Sequence, residues 1–326
     1  MPEGAPARMG PLSAHAAPAV TVAVVSWNTR DLLDACLRAL EPEHVAGRAA
    51  VVVVDNGSGD GSPALVRDAH PWAALVERPD NPGFGTAANV ALAGARTPYV
   101  AVANADTAVT PGALDALLAA AARHGDAVLA PCLRTPGGGI QHSVHPFPSL
   151  RQVAAVDLGL ARVLPGEARR LALEGAWDPG AGRTVDWAHG AFLLLPRALW
   201  ERLGGFDPSM WMYAEDLDLC WRAARAGAPT RYVPDAVVEH HVAASTTQAW
   251  GAGRLQRSQR AAHAWSRRRL GPARTAAWWA LAVGAGGVRS AALTVAARLA
   301  PAGYGWRRDR AHALLAARLA ARREGS

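Results

Sequence analysis

The residues best suited to chemistry follow a short apolar segment in the first third of the chain. Residues 99–103 are typical of a buried strand, and Asn104 and Asp106 come next, one residue apart. Oxygen ligands at a strand end suit a hard divalent cation, which commonly also takes phosphate oxygens from a substrate. The pattern therefore indicates a metal–diphosphate site, although Asn-x-Asp is also typical of a plain strand-to-helix turn.

Other polar clusters follow apolar segments in the same way. They are Ser26 with Asn28, Asp55 with Asn56, and the glycine-containing segment 81–89. In an open α/β sheet, ligands bind at the carboxyl ends of the strands. We therefore expect these clusters to face a ligand crevice rather than the core.

Strand and helix patterns alternate over the first 131 residues. Strands are predicted near 20–26, 49–54, 73–77, 99–103 and 127–131. Helices are predicted at 30–40, after the segment 81–89 with an end near residue 96, and at 111–123. Thr110 is predicted as the N-cap of the last helix and Pro111 as its first residue. This alternation predicts a parallel, doubly wound α/β sheet.

The second half of the chain is less regular. Residues 133–183 have weak periodicity and frequent Gly and Pro, which predicts an excursion over the crevice. A loop and strand follow at 185–195, with helices at 197–203 and 215–226. The second of these helices carries an acidic triplet, and strand-like pieces at 231–233 and 236–241 end in a histidine pair.

Charge is distributed unevenly. All 34 basic residues are Arg, and the net charge is +7. Residues 251–326 hold 15 Arg against two acids, which leaves −6 for residues 1–250. A basic extension on a mildly acidic body indicates an anionic partner surface for the extension.

The three cysteines do not form a zinc-binding pattern. Cys36, Cys132 and Cys220 are far apart, and no CxxC or Cys/His ligand spacing exists. We expect Cys36 and Cys220 to be small core residues in a reducing compartment. Residues 1–18 are rich in Pro, Ala and Gly without an apolar signal segment, so they are predicted to be disordered.

The C-terminal extension contains one apolar segment. Residues 276–288 are 13 uncharged residues between Arg274 and Arg289, fewer than the roughly 20 needed to cross a bilayer. The tryptophans at 278 and 279 fit an interfacial helix, and packing on the protein's own core fits as well. A spanning helix and nucleic-acid binding by the extension are the weaker alternatives.

Six motifs together resemble the inverting glycosyltransferases of family 2, and in particular their rhamnosyltransferase-like branch. They are VVSWNTRDLLDACLRAL, VVVVDNGSGDGS, NPGFGTAANVAL, VAVANADTAV, the segment from HGAFLLLPRALW to YAEDLDLCW, and VVEHHVAAS. The resemblance implies a GT-A-type α/β fold, with a doubly wound, mainly parallel sheet and a C-terminal helical extension. The implied domain is 19–246, with a nucleotide-binding half at 19–131, an acceptor-binding half at 132–246, and an extension at 247–326.

The resemblance also implies a donor site. Its nucleotide-sugar-binding residues would be Ser26, Asn28, Asp55, Asn56, Gly83, Asn89, Asn104 and Asp106. A carboxylate such as Asp55 suits a pyrimidine N–H or ribose hydroxyls, because it only accepts hydrogen bonds. Asp106 would ligate a divalent metal, Mg²⁺ or Mn²⁺, that offsets the charge of the leaving diphosphate.

The same resemblance places the catalytic and acceptor groups later in the chain. Asp216 would be the catalytic base, with Glu215 supporting the acceptor or tuning Asp216. His240 would complete the metal or diphosphate site; His240 and His241 alternate faces on a strand, so only one of them can serve. The acceptor would be lined by Trp187, His189, Trp211 and Tyr213, although Trp211 is equally consistent with a core position.

The implied reaction moves rhamnose from dTDP-rhamnose to a lipid-linked or polymeric acceptor. We expect a cytoplasmic protein at the inner face of the plasma membrane, with the basic extension on anionic lipid and no nucleic-acid partner. Two alternatives stay open. One keeps the fold with a UDP-hexose or UDP-galactofuranose donor, and the other is a non-catalytic nucleotide-sugar-binding protein.

Overall fold

The computed structural model describes residues 17–157, 179–241, 251 and 253–324. The predicted disordered segment lies almost wholly outside the described residues. So do the middle of the predicted excursion at 133–183 and the end of the VVEHHVAAS motif.

Eleven strands are present in the described part of the chain. They are β1 (Val20–Ser26), β2 (Ala49–Asp55), β3 (Ala74–Glu77), β4 (Tyr99–Asn104), β5 (Thr107–Val109), β6 (Val128–Arg134), β7 (Val144–His145), β8 (Arg183–Val185), β9 (Trp187–Ala188), β10 (Phe192–Pro196) and β11 (Thr230–His240). Nine of them form one sheet in the order β3-β2-β1-β4-β10-β6-β11-β5, with β8 paired to β11. The other two, β7 and β9, pair with each other.

Helices cover both faces of this sheet and form the C-terminal extension. They are α1 (Arg30–Val45), α2 (Ser62–Ala69), α3 (Phe84–Leu92), α4 (Ala113–His124), α5 (Leu150–Asp157), α6 (Arg197–Leu203), α7 (Glu215–Arg225), α8 (Gly253–Leu270), α9 (Pro272–Leu299) and α10 (Pro301–Glu324). Leucines of α1 and α4 pack on one face of the sheet. Apolar residues of α3, α6 and α7 pack on the other face.

The parallel half of the sheet collects the polar clusters at one edge. Strands β3, β2, β1 and β4 are parallel neighbours. Their register places Ser26 beside Asp55, and Val25 beside Asn104. Every residue of β1 is buried, as expected for a strand covered on both faces. The predicted arrangement of the first strands is therefore confirmed.

Beyond β4 the sheet contains both parallel and antiparallel pairs. The sequence pattern did not predict where the antiparallel strand enters. Strand β10 enters antiparallel between β4 and β6, and β11 runs parallel to β6. The two short pieces predicted at 231–233 and 236–241 are one strand, β11, with a register shift between Val233 and Val237.

The predicted start of the helix after Asp106 is wrong. Residues 107–109 form β5 against β11, and the helix begins only at Ala113. Thr110 is not the N-cap, because its hydroxyl donates to the Val237 carbonyl at 2.8 Å. Gly112 occupies the N-cap position with φ +82°.

The apolar segment of the extension belongs to a longer helix than expected. Helix α9 has 28 residues and is long and apolar enough to cross a membrane by length and composition. Ala282 and Ala285 of α9 pack on Val153 of α5. Arg318 of α10 donates to the Ala282 carbonyl at 2.9 Å. One side of α9 is therefore held by the protein itself.

Candidate active site at the carboxyl edge of the sheet

The loop after β2 presents a buried carboxylate. Asp55 Oδ1 accepts the Ser58 N–H at 2.8 Å, which fixes the side chain. Asp55 Oδ2 is buried and has no hydrogen-bond partner among the described residues. Leaving a buried acceptor unpaired is costly, so this oxygen fits a site for a ligand N–H or hydroxyl.

Asn28 holds that loop in place. Its backbone N–H donates to Ser58 Oγ and its Oδ1 accepts the Gly59 N–H, both at 2.8 Å. The residue has φ +51°, in the left-handed region that Asn tolerates better than most residues. Ser26 lies fully buried beneath the loop, and Asn56 is buried beside it. Direct contact of these three residues with a nucleotide stays a prediction.

The segment 81–89 differs from expectation in what its residues contact. A Cβ on Gly83 would lie 1.9 Å from the Trp211 carbonyl oxygen, so the close approach here is to Trp211. Asn89 is bonded to the Phe206 backbone through both atoms of its amide. It donates to the Phe206 carbonyl and accepts the Phe206 N–H, both at 2.9 Å. Both residues therefore join the donor-side loop to the 205–211 turn.

Asp106 and His240 meet at the end of β4. The distance from Asp106 Oδ1 to His240 Nε2 is 3.3 Å, and both side chains are buried. His240 Nδ1 lies 2.8 Å from Gln141 Oε1, an oxygen that can only accept. Nδ1 therefore donates, and Nε2 faces Asp106. A metal-binding histidine typically has this arrangement, with its other nitrogen bonded to an acceptor.

These two side chains fit a divalent cation only in part. The described residues contain no group of three or more His, Cys, Asp or Glu that could hold a metal ion. A cation here would therefore need further ligands from a bound substrate or water. Gln141 was not expected from the sequence, because its partner lies 99 positions away.

The acidic pair begins α7. Asp216 is half-buried, and its carboxylate accepts the Gly190 N–H at 2.9 Å and the Leu217 N–H at 2.8 Å. Glu215 is buried, and burial together with the neighbouring Asp216 raises the pKa of Glu215 to about 8. Glu215 is thus predominantly neutral near pH 7. Asp216 is the more accessible of the two carboxyl groups.

One segment connects the acidic pair to the end of β4. The Gly190 N–H reaches Asp216, and the next residue, Ala191, accepts the Asn104 N–H at 2.9 Å. Burial lowers the pKa of His189, the nearby His240 lowers it further, and the Asp216 charge opposes the change. Residues 189–191 therefore bond to Asp216 on one side and to Asn104, two residues before Asp106, on the other.

Aromatic rings extend from this segment. Trp187 stacks on His145 with centroids 4.6 Å apart, and His145 Nε2 lies 2.9 Å from His189 Nε2. Trp211 is 40% exposed and its indole N–H donates to the Asn81 carbonyl at 2.9 Å. A core position for Trp211 is therefore excluded. The ring of His145 was not expected from the sequence.

The third acid of the triplet connects α7 to the C-terminal extension. Asp218 is fully buried, accepting from Arg222 on its own helix at 2.7 Å and from Arg269 of α8 at 2.6 Å. The Trp265 indole N–H donates to the same carboxylate at 3.2 Å. Asp218 thus anchors α8 against the helix that carries the acidic pair.

Comparison with known proteins identifies relatives for most of the chain. Residues 17–264 match the model of the family described as "Glycosyltransferase like family 2". The N-acetylglucosaminyl-diphospho-decaprenol L-rhamnosyltransferase of Mycobacterium tuberculosis is 36% identical over 242 residues, covering 71% of this chain and 76% of the relative. Rhamnosyltransferase WbbL of Escherichia coli K12 is 46% identical over 50 residues, covering 15% of this chain and 19% of the relative.

The fold also matches a solved structure. The mannosyltransferase PcManGT from Pyrobaculum calidifontis, solved with GDP-Man and Mn²⁺, aligns with a TM-score of 0.58 and 24% identity. The alignment covers 94% of this chain and 86% of that one. At this identity the likeness establishes the GT-A-type fold alone.

Proposed function

The chain belongs to glycosyltransferase family 2, and on that premise we propose that it transfers rhamnose from dTDP-rhamnose, with inversion, to a sugar on a polyprenyl diphosphate. The name of the 36% identical relative supports both the donor sugar and the class of acceptor. The buried, unpaired Asp55 Oδ2 supports a base that presents an N–H, as thymine and uracil do.

A divalent metal, Mg²⁺ or Mn²⁺, would be held by Asp106 and His240. When bound, it would supply positive charge to the leaving diphosphate. Gln141 keeps His240 Nε2 available by accepting the proton of Nδ1. Asn104 ends β4 two residues before Asp106 and is half-buried.

Asp216 would act as the base. The acceptor hydroxyl gives its proton to the Asp216 carboxylate, and its oxygen forms the new bond to the anomeric carbon. The bond from that carbon to the diphosphate breaks, and its electron pair leaves with the nucleoside diphosphate. The Gly190 and Leu217 N–H groups orient the carboxylate, and neutral Glu215 adds no competing charge beside it.

One observation carries this proposal. Residues 189–191 bond to Asp216 on one side and to Asn104 on the other, which joins the base to the donor edge. Trp187 and His189 lie beside this junction, and their rings suit contact with the acceptor sugar. Trp211 and Tyr213 extend the same side toward α8.

Transfer by Asp216→Asn tests the proposal. The full chain is incubated with dTDP-rhamnose, polyprenyl-diphosphate N-acetylglucosamine, and Mn²⁺ or Mg²⁺, and the product is measured by mass spectrometry. We expect Asp216→Asn to lose about 10²–10⁴-fold in rate, as when a general base is removed. Asp68→Asn, an exposed carboxylate on α2, is the matched control with unchanged rate. Transfer by Asp216→Asn at the wild-type rate would remove Asp216 from the role of base.

A donor screen separates the alternatives. The same assay is run with UDP-glucose and UDP-galactofuranose beside dTDP-rhamnose. Faster transfer from a UDP-sugar than from dTDP-rhamnose would show that the proposed donor is wrong while the enzyme is still a glycosyltransferase. Nucleotide-sugar binding without transfer or donor hydrolysis, for every donor and both metals, would favour the non-catalytic alternative.

The acceptor class implies work at a membrane surface, and the 15 Arg of residues 251–326 are suited to anionic lipid. We expect the full chain to float with phosphatidylglycerol vesicles at low salt and to dissociate as salt rises. Equal flotation with uncharged vesicles at high salt would instead indicate that α9 inserts.

A further inference from the structure

A cavity of about 280 Å³ lies between the turn before α7 and the first helix of the extension. The turn at 209–213 forms one wall and α8 forms the other. No residue assigned to the donor site, the metal or the base lines it, whereas Trp211 and Tyr213 do. The cavity is therefore lined by two of the proposed acceptor residues and by none of the proposed donor residues.

The α8 wall carries positive charge. Arg257, Arg260 and Arg268 line the cavity, spaced three and eight residues apart, which places them along one helix face. Ala261 and Ala264 lie between them on that face and leave space for a ligand. Among the described lining residues none has a carboxylate, and these three arginines are the charged groups.

The opposite wall is apolar and aromatic. Met210, Trp211, Met212 and Tyr213 line it, and buried Trp265 of α8 lines the cavity between the two walls. Methionine and aromatic side chains adapt to flexible hydrocarbon chains. One side of the cavity therefore suits an anion, and the other suits an alkyl or isoprenoid chain.

The cavity lies next to the catalytic acids along the chain. Tyr213 and Ala214 both have φ +66°, a strained turn that leads directly into Glu215 and Asp216. On its other side, Trp211 accepts the Phe84 N–H at 3.2 Å and donates to the Asn81 carbonyl. Trp211 thus joins the cavity wall to the donor-side loop, and Tyr213 lies three residues before Asp216 in the same turn.

We infer that this cavity binds the diphosphate and the first isoprene units of a polyprenyl-diphosphate-linked acceptor. The inference rests on the proposed function, since it names the part of the acceptor that is held away from the reacting sugar. Arginine forks bind phosphate oxygens in pairs, which suits a diphosphate better than a single charge does. The volume of about 280 Å³ is slightly below the roughly 300–1,000 Å³ of ligand pockets, so the cavity holds the head of the lipid and not its whole chain.

A binding measurement tests the cavity without catalysis. Farnesyl diphosphate is titrated into the full chain by calorimetry, in EDTA so that no metal supports binding at Asp106 and His240. We expect Arg257→Gln/Arg260→Gln to weaken binding at least tenfold. The matched control, Arg254→Gln/Arg267→Gln, removes two charges from α8 at positions that do not line the cavity, and should change affinity less than twofold.

Three outcomes would overturn the inference. Equal weakening in both double variants would show that general positive charge binds the probe. Inorganic diphosphate binding as tightly as farnesyl diphosphate would show a simple anion site. Anionic vesicles competing as well as farnesyl diphosphate would assign the arginines to the membrane surface instead.

Kinetics distinguish failure of this inference from failure of the proposed function. Transfer is measured to N-acetylglucosamine on farnesyl diphosphate and on a simple farnesyl glycoside without phosphate. We expect Arg257→Gln/Arg260→Gln to raise KM for the first acceptor at least tenfold and to leave KM for the second, and kcat, unchanged. An equal rise for both acceptors would refute the cavity assignment while leaving the function intact. Wild-type protein that transfers to neither acceptor, but still binds farnesyl diphosphate, would refute the proposed function alone.

Discussion

The donor edge and the acceptor side of this molecule are built differently. The donor edge consists of loops that directly follow β1, β2 and β4, so each polar residue is positioned by the strand before it. The acceptor side is assembled from residues 141–147, 187–191, 209–216 and α8, which meet only in the folded chain. Its important contacts span long sequence distances, as between Gly190 and Asp216 or between Asp218 and Arg269.

The acceptor side therefore depends on buried polar contacts between helices, strands and loops. The Asp218 carboxylate, for example, accepts hydrogen bonds from Arg222 of α7 and from Trp265 and Arg269 of α8. The donor edge relies more on strand pairing in an apolar sheet, to which Asn28 adds two bonds between loops. Substitutions on the acceptor side should therefore change acceptor binding and stability, and substitutions at the donor edge should change donor binding.

Asp218→Asn gives the largest expected effect. It removes the buried charge that the partly buried guanidinium groups of Arg222 and Arg269 share, while Arg269 keeps Asp207, so the free energy of unfolding should fall by about 3 kcal/mol. Urea unfolding followed by circular dichroism measures the loss. Acceptor KM should rise because α8 loosens, while nucleotide affinity stays constant.

The matched control for that variant is Asp126→Asn, which breaks an exposed pair with Arg202. An exposed pair contributes about 0–1 kcal/mol, so little change is expected. Equal losses for the two variants would contradict the anchoring role of Asp218.

Glu215→Gln tests the buried carboxyl beside the base. The folded-state pKa of Glu215 is about 8, above the ordinary value of 4.5, so only the unfolded state releases its proton between these values. Wild-type stability should therefore fall as pH rises through this window, by up to about 1.4 kcal/mol per pH unit. Glu215→Gln should lose this part of the slope and be the more stable protein at pH 7.5.

The measurement is urea unfolding of both proteins at pH 5.5, 6.5 and 7.5. Glu239→Gln, an exposed acid on β11, should retain the wild-type slope. Parallel curves for wild type and Glu215→Gln would show that Glu215 is ionised in the folded protein.

Gln141→Leu tests the orientation of His240 across the two regions. Without the Oε1 acceptor, the His240 tautomer is no longer fixed, and affinity for Mn²⁺ in the presence of dTDP should weaken about 10–100-fold. Electron paramagnetic resonance of free Mn²⁺ measures this without catalysis. Gln152→Leu on α5 is the control, and unchanged Mn²⁺ affinity in Gln141→Leu would remove its positioning role.

Asn28→Ala gives the smallest expected effect and tests the donor edge. It removes the acceptor of the Gly59 N–H and places Ala at φ +51°. We therefore expect the ordered conformation of the loop to be less stable by about 1 kcal/mol. Donor KM should rise about fivefold, with acceptor KM unchanged. Asn28→Gly keeps the backbone conformation and should recover part of the loss, and a shift in acceptor KM alone would contradict the separation of the two regions.

The sequence predicted the donor half of the fold well, because strands covered on both faces form continuous apolar segments and polar residues mark their ends. It also predicted Asp55, Asp106 and Asp216 as candidate site residues by resemblance. It misplaced Thr110, since the pairing of β5 with β11 depends on a strand more than 100 residues later. The resemblance assigned Asn89 to nucleotide binding, whereas both atoms of the Asn89 side-chain amide bond to the Phe206 backbone.

Alternation of apolar strands with amphipathic helices, and polar residues at strand ends, are local properties, so the α/β class and the donor edge can be predicted from the amino-acid sequence. The folded structure was needed to find that Gln141 orients His240, that Gly190 bonds to Asp216, and that Asp218 anchors α8. Those contacts join residues 26 to 99 positions apart, and their formation depends on strand order and packing rather than on any local pattern.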